Sequence, residues 1–352
     1  MTRSRGRRQF LGAMAALGAS VAMPRLGRGG QASVAPAAPH RIDVHQHFIS
    51  PSFYATLNAK NATTPIPGLA AWKDYSPARS LEGLDRIGAA TGMVSLTAPG
   101  VWFGDAAEAR RLARELNEFA AARLVSAYKN RFGLFAVLPL PDVQASLEEA
   151  AYALDTLKAD GIGILTSYGT KWLGDPTFAP LMEEMNRRKA VVYTHPTDAA
   201  CCMTMVPGAA NQMLEWPTDT ARTIVSLVVS GTAAKYPDIR FIFSHAGGTL
   251  VAVAGRFAGG PLDPATLAAP PPASRLGQLR RFYYDTAGAA NSVNMQALKA
   301  LVGSSQIVFG TDAPFFDGLT IVQGLRTSGF TPEELRGVER DNALGFLPRL
   351  KG

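Results

Sequence analysis

Cysteine is nearly missing from this chain of 352 residues: only Cys201 and Cys202 occur, side by side. Adjacent Cα atoms lie about 3.8 Å apart, shorter than ordinary disulfide geometry allows, so the pair is expected to stay unbridged. With no CxxC spacing and no neighbouring histidine, a soft-metal site is not expected there either. Acidic residues are absent before Asp43, whereas Arg3, Arg5, Arg7, Arg8, Arg25 and Arg28 crowd the same stretch. Subtracting those six from the formal +7 leaves about +1, and nucleic acid, which a pI near 9.5 would suggest, is excluded as a partner. The apolar stretch ending at Met23 falls short of the roughly 20 residues of a membrane span. No GxGxxG follows the first strand candidate, which makes a doubly wound nucleotide-binding sheet only the second choice of fold.

What the N-terminus does have is Arg7-Arg8-Gln9-Phe10-Leu11 followed by an alanine-rich apolar stretch. It resembles a twin-arginine export signal. Residues 1–39 are therefore expected to be signal peptide and linker, with the twin-arginine machinery as a partner and the periplasm or exterior as the destination. Residues 40–352 are expected to form one domain.

Within that domain strand-like and helix-like segments alternate. Eight strand candidates are Ile42 to Phe48, Thr91 to Thr97, Phe132 to Leu138, Gly161 to Leu165, Val191 to His195, Arg240 to His245, Phe282 to Asp285 and Ile307 to Thr311. Asp142 can cap a helix whose apolar stripe includes Val143, Leu147 and Leu154. Eight such alternations predict an α/β fold of the (β/α)8 TIM-barrel type. Residues 49–80, rich in proline, are expected to be a long irregular loop over one end.

Four of the five histidines sit at ends of these strands. His45 and His47 are two apart and so point the same way from a strand. His195, His245 and Asp312 close the fifth, sixth and eighth candidates. Barrel enzymes gather their chemistry at those C-terminal strand ends, and imidazole with carboxylate is a ligand set for a zinc-like ion. Phe48, Trp72, Phe315 and Phe316 flank these positions and are placed to sandwich a planar ring. Arg222 can either pair with Glu215 or Asp219 or meet a substrate carboxylate.

The combination of His45-Gln46-His47, His195-Pro196, Ser244-His245-Ala246-Gly247-Gly248 and Gly310-Thr311-Asp312 resembles the amidohydrolase superfamily. Within it the decarboxylase branch typified by aminocarboxymuconate semialdehyde decarboxylase is most similar. Leu96-Thr97-Ala98-Pro99-Gly100-Val101 and Leu173-Gly174-Asp175-Pro176 resemble 6-methylsalicylate decarboxylase-like proteins in particular. The resemblance implies that His45, His47, His195 and Asp312 hold one divalent ion, zinc or else manganese. It implies that His245 and Asp312 are catalytic and that the chain is a homo-oligomer, while from their own positions Phe48, Trp72, Arg222 and Phe315 are expected to contact substrate. Two-metal relatives use a lysine at the end of strand four; here Ile164-Leu165-Thr166-Ser167 stands there and Lys171 lies beyond it. The function expected is non-oxidative decarboxylation of an aromatic or enol-like carboxylic acid of hydroxybenzoate or muconate type. A metal-dependent lactone or amide hydrolase on the same fold is the alternative.

Overall fold

The computed structural model describes residues 40–260 and 262–351; the arginine-rich segment lies outside the described residues. Eight parallel strands pair in chain order: β1 (Arg41–His47), β2 (Ala89–Ser95), β3 (Phe132–Val137), β4 (Gly161–Leu165), β5 (Val191–His195), β6 (Arg240–Phe243), β7 (Tyr283–Asp285) and β8 (Ile307–Val308). Helices follow the strands, and the whole is the expected TIM barrel. Strands β6 and β8 end earlier than expected. Starting two residues beyond β6, His245 and Ala246 adopt left-handed backbone (φ 54° and 58°), and four residues beyond β8 Asp312 does the same (φ 63°).

Closure of the barrel between β1 and β8 rests on few bonds. Val44 N donates to Phe309 O (2.9 Å), Asp312 N donates to His45 O (2.7 Å), and Gln46 bridges to Ala313. Asp43 is buried at this seam. Its carboxylate accepts from His45 N (3.1 Å), Thr311 N (3.0 Å), the Thr311 hydroxyl (2.6 Å) and the Gln46 amide (2.9 Å). Burial pushes its pKa up to about 6 against the pull of those donors.

Inside the barrel Ile42, Val44, Met93, Phe135, Tyr193, Ile242 and Val308 pack together with Phe346 and Leu347. The C-terminal segment thereby covers the N-terminal end of the strands, where Arg349 reaches Phe132 O. The opposite end stays open for chemistry. Asp142 caps the helix Val143–Asp155 through Ala145 N (3.0 Å). That helix buries Ala145, Ala150 and Ala153, while Val143, Leu147 and Leu154 pack half-buried beside them. Small side chains let the helix approach the strands.

Two expectations need correcting. Residues 49–80 are not irregular: they hold the helix Pro51–Asn61, a 3-10 turn Leu69–Trp72 and the start of the helix Pro77–Arg86. The overlooked signal was Ser-Pro twice. Ser50 and Ser76 each cap a helix that begins on proline, Ser50 Oγ accepting from Phe53 N and Ser76 Oγ from Arg79 N. Secondly, Cys201 and Cys202 are bridged, with Cα atoms 3.7 Å apart. A ring can close across one peptide bond without the separation that bridges between distant segments need. It joins no distant parts of the chain, so the fold still rests on packing. Among the described residues no helix is long and apolar enough to cross a membrane.

Replacing Asp43 by alanine strands two backbone donors and a buried hydroxyl at the seam. Losing about 1–3 kcal/mol per unsatisfied buried group, Asp43→Ala should lower unfolding free energy by roughly 3 kcal/mol or more in urea titration. An unchanged midpoint would show that the seam does not depend on this carboxylate.

Candidate active site

The rings of His45 and His47 leave β1 on one side and meet edge to face, 4.8 Å between centroids. His195 at the end of β5 approaches both, at 5.3 and 4.8 Å. One nitrogen of each ring is occupied from behind. Nδ1 of His45 meets Asp285 Oδ2 (2.8 Å), Nδ1 of His47 meets Ser95 O (3.2 Å) and Nδ1 of His195 meets Pro196 O (2.8 Å). A ring nitrogen that donates to an oxygen leaves the other as the free lone pair. The Nε2 atoms consequently converge, those of His45 and His47 only 3.0 Å apart.

Asp312 completes the group. Its Oδ1 lies 3.3 Å from His45 Nε2 and 3.0 Å from His47 Nε2. Yet Oδ1 is sealed from solvent with no donor in hydrogen-bonding geometry. Ligand atoms of His45, His47, His195 and Asp312 all fall within 4.8 Å of one another. Three imidazole nitrogens and a carboxylate oxygen directed at one buried point are the ligand types a divalent metal takes once the rings are deprotonated, so this donor set fits such an ion.

Electrostatics agree. Burial pushes His47 below its ordinary pKa, with His45 adding to the effect, and burial pushes His195 well below it. Burial also acts against a charged His45, but the carboxylates of Asp285 and Asp312 outweigh it and lift the pKa to about 10. For Asp312 burial favours the neutral acid, but the charge of His45, the bond from His245 and the closeness of the His45 and His47 rings override it, holding the carboxyl well below its usual range.

His245 stands beside this group rather than in it. Its Nε2 meets Asp312 Oδ2 at 3.1 Å, its backbone N donates to Asp285 Oδ1 at 3.0 Å, and its side chain is 17% exposed. It links the ligands to the cavity above. Left-handed backbone at a non-glycine residue costs of order 1 kcal/mol or more and persists where surrounding bonds hold it, often at functional sites.

That cavity, about 550 Å3, has His195, His245 and Asp312 on its floor and Trp216, Pro217, Phe315 and Phe316 among its walls. Of the aromatic residues expected to touch substrate, Phe315 lines it. Trp72 is buried behind, edge-on to Phe315 at 5.3 Å. Phe48 is buried in the outer core and stacks on Phe119, away from the cavity. Arg222 lines a different, shallow groove and stands 3.7 Å from Glu215. The strand-four end is committed to structure. Thr166 and Ser167 donate to buried Asp219 at 2.5 and 2.9 Å, and Lys171 binds Thr177 on the surface. Among the described residues no group there is placed to hold a second ion.

Sequence reasoning missed Asp285 and Trp216. Asp285 ends β7 just as Asp312 follows β8, and that repeated strand-end acid was the available signal. It fixes His45 through its side chain and His245 through its backbone. Trp216 donates Nε1 to Asp198 (2.7 Å) and sets its ring 5.7 Å from that of His195.

The amidohydrolase profile matches residues 42–349, and the chain belongs to that family. It is 39% identical over 329 residues to the decarboxylase yanB of Aspergillus niger, covering 88% of each chain. It is 36% identical over 337 residues to the 6-methylsalicylic acid decarboxylase acuB of Aspergillus aculeatus, covering 88% of this chain and 97% of that one. A dihydroxybenzoic acid decarboxylase from Polaromonas, solved with bound manganese, has the same fold: TM-score 0.73 at 19% identity, covering 89% and 98% of the two chains.

A raised His45 means that the metal-free protein carries a proton there at neutral pH. An incoming cation must displace it, so metal affinity should weaken as pH falls below about 10. Titrating stripped protein with metal at pH 8 in weak buffer should release about one proton per ion. Pure heat with no proton release would contradict that protonation state.

Proposed function

We propose that this protein is a metal-dependent, non-oxidative carboxy-lyase acting on a 2-hydroxybenzoate. The observation that carries it is the convergence of His45, His47, His195 and Asp312 at the floor of a largely apolar, ring-sized cavity, in a chain whose relatives are decarboxylases. A divalent ion held by these four residues would supply Lewis-acid chemistry to a carboxylate and its neighbouring hydroxyl. Three imidazoles and a carboxylate suit zinc first and manganese second.

The chain's own residues then have two tasks. Phe315 offers a face to the substrate ring, with Trp72 bracing it from behind, while Phe48 supports the adjoining core and Arg222 steadies its helix through Glu215. The ring carbon that loses CO2 must gain a proton, and the Asp312 Oδ2 to His245 Nε2 contact is the path. Since Asp312 stays ionised to low pH, it cannot be the first source. His245, partly open to the cavity, takes up the proton and passes it to Asp312 or directly to the carbon. CO2 release from a panel of hydroxybenzoates and muconate-like acids tests the reaction; hydrolysis of lactones or amides without CO2 would overturn it.

His195→Ala should lose both metal and activity. His245→Ala should keep most of its metal while the rate falls roughly 10²–10⁴-fold, the usual contribution of a general acid. Equal metal loss in both variants, read by elemental analysis, would break this division of labour.

We also propose export by the twin-arginine route to the periplasm or exterior, supported by Arg7-Arg8 before Phe10-Leu11, and a homo-oligomeric state, which sedimentation would test. Arg7→Lys with Arg8→Lys keeps the net charge but should leave the protein in the cytoplasm. Unchanged localisation by cell fractionation would rule the route out.

A further inference from the structure

The cavity is chemically two-sided. Every titratable group that lines it belongs to the floor: His195, His245 and Asp312. Further out Met213, Pro217, Ala289 and Phe316 form an apolar wall, interrupted only by the neutral amides of Gln212 and Asn294. No lysine or arginine lines it among the described residues. At about 550 Å3 the space falls among cavities that enclose drug-sized ligands, about 300–1,000 Å3, and exceeds what one ring with a methyl group fills.

The apolar character continues past the mouth. Met213 is 74% exposed, and Met203, Met205, Val206 and Leu214 are exposed nearby. The segment carrying Met203 to Val206 is held against the start of the Met213 helix, Thr204 N donating to Asn211 Oδ1 (2.8 Å) and Asn211 Nδ2 to Asp198 (2.8 Å). Methionine is the side chain best able to mould itself around a flexible hydrocarbon. Met213 both lines the cavity and is exposed, so the apolar wall reaches the surface at that residue.

We infer that the outer half of this cavity is a subsite for a hydrocarbon tail longer than methyl, and that the natural substrate is a monocarboxylic hydroxybenzoate bearing such a tail. This rests on the decarboxylase reading and narrows it. Burying each methylene of a tail is favourable, whereas a second carboxylate would lie against this wall with no counter-charge and only the amides of Gln212 and Asn294 to offset its lost hydration. The same wall therefore admits alkyl groups and rejects diacids.

The experiment uses the metal-loaded protein and measures CO2 release from salicylate, from two series with methyl, propyl or pentyl at ring position 5 or 6, and from 5-carboxysalicylate. In at least one series kcat/KM should rise roughly two- to fourfold per methylene, chiefly through KM, and the diacid should fall at least tenfold below salicylate. Met213→Lys should flatten the tail dependence and raise the ratio of diacid to salicylate turnover. Flat or falling kcat/KM in both alkyl series, or a diacid used as well as salicylate, overturns the subsite alone. No CO2 from any compound overturns the decarboxylase reading, and the subsite with it.

Discussion

Everything at the open end of this barrel depends on how the first strand is joined to the last. Asp312 N donates to His45 O, and that bond places a carboxylate from the end of the chain beside two imidazoles from its beginning. Asp43 makes the join specific by gathering donors from both sides of it. Buried carboxylates are costly unless saturated with donors, and this one is saturated only when β1 and the turn after β8 are in register. A slip of one residue would remove the donors and turn the imidazoles away.

From that register follows the division of charge. Asp285 and Asp312 flank the three imidazoles, so the floor concentrates negative potential where a cation is required. The walls carry little charge, which leaves the floor as the place where an acid group can be compensated. Binding and chemistry are thereby directed to one atom cluster, while the ring and whatever it bears are handled by shape. His245 bridges the two regimes, since its ring touches Asp312 on one side and the cavity on the other.

Much of this was legible in the chain because the signals are local. A strand ending in histidine announces both its own end and its chemistry, and all eight strands can be placed from apolar runs. What escaped depends on neighbours distant in sequence. Asp285 acquires meaning only once β7 lies between His45 and His245. Phe48 follows His47 directly, and the alternation that turns His45 and His47 inward sends it outward into the core against Phe119. Arg222 belongs to the helix after β5 but to a face turned away from the cavity. The helix Pro51–Asn61 was readable from Ser50 and Pro51 and was masked by prolines that suggested a loop. Cys201 and Cys202 were judged by the geometry of bridges between separate segments, which does not govern a pair joined by one peptide bond.

The ligands of the metal site are drawn from both extremes of the domain, His45 and His47 near its start and Asp312 some forty residues from its end. During synthesis the imidazole pair emerges first and must wait for nearly the whole chain before its carboxylate partner exists. Any fragment that stops short of Thr311 lacks both the fourth ligand and two of the four donors that quieten Asp43. Occupancy of the site is thus a certificate of a finished, closed barrel, and a cell that loads the ion only into such molecules needs no separate inspection of the fold.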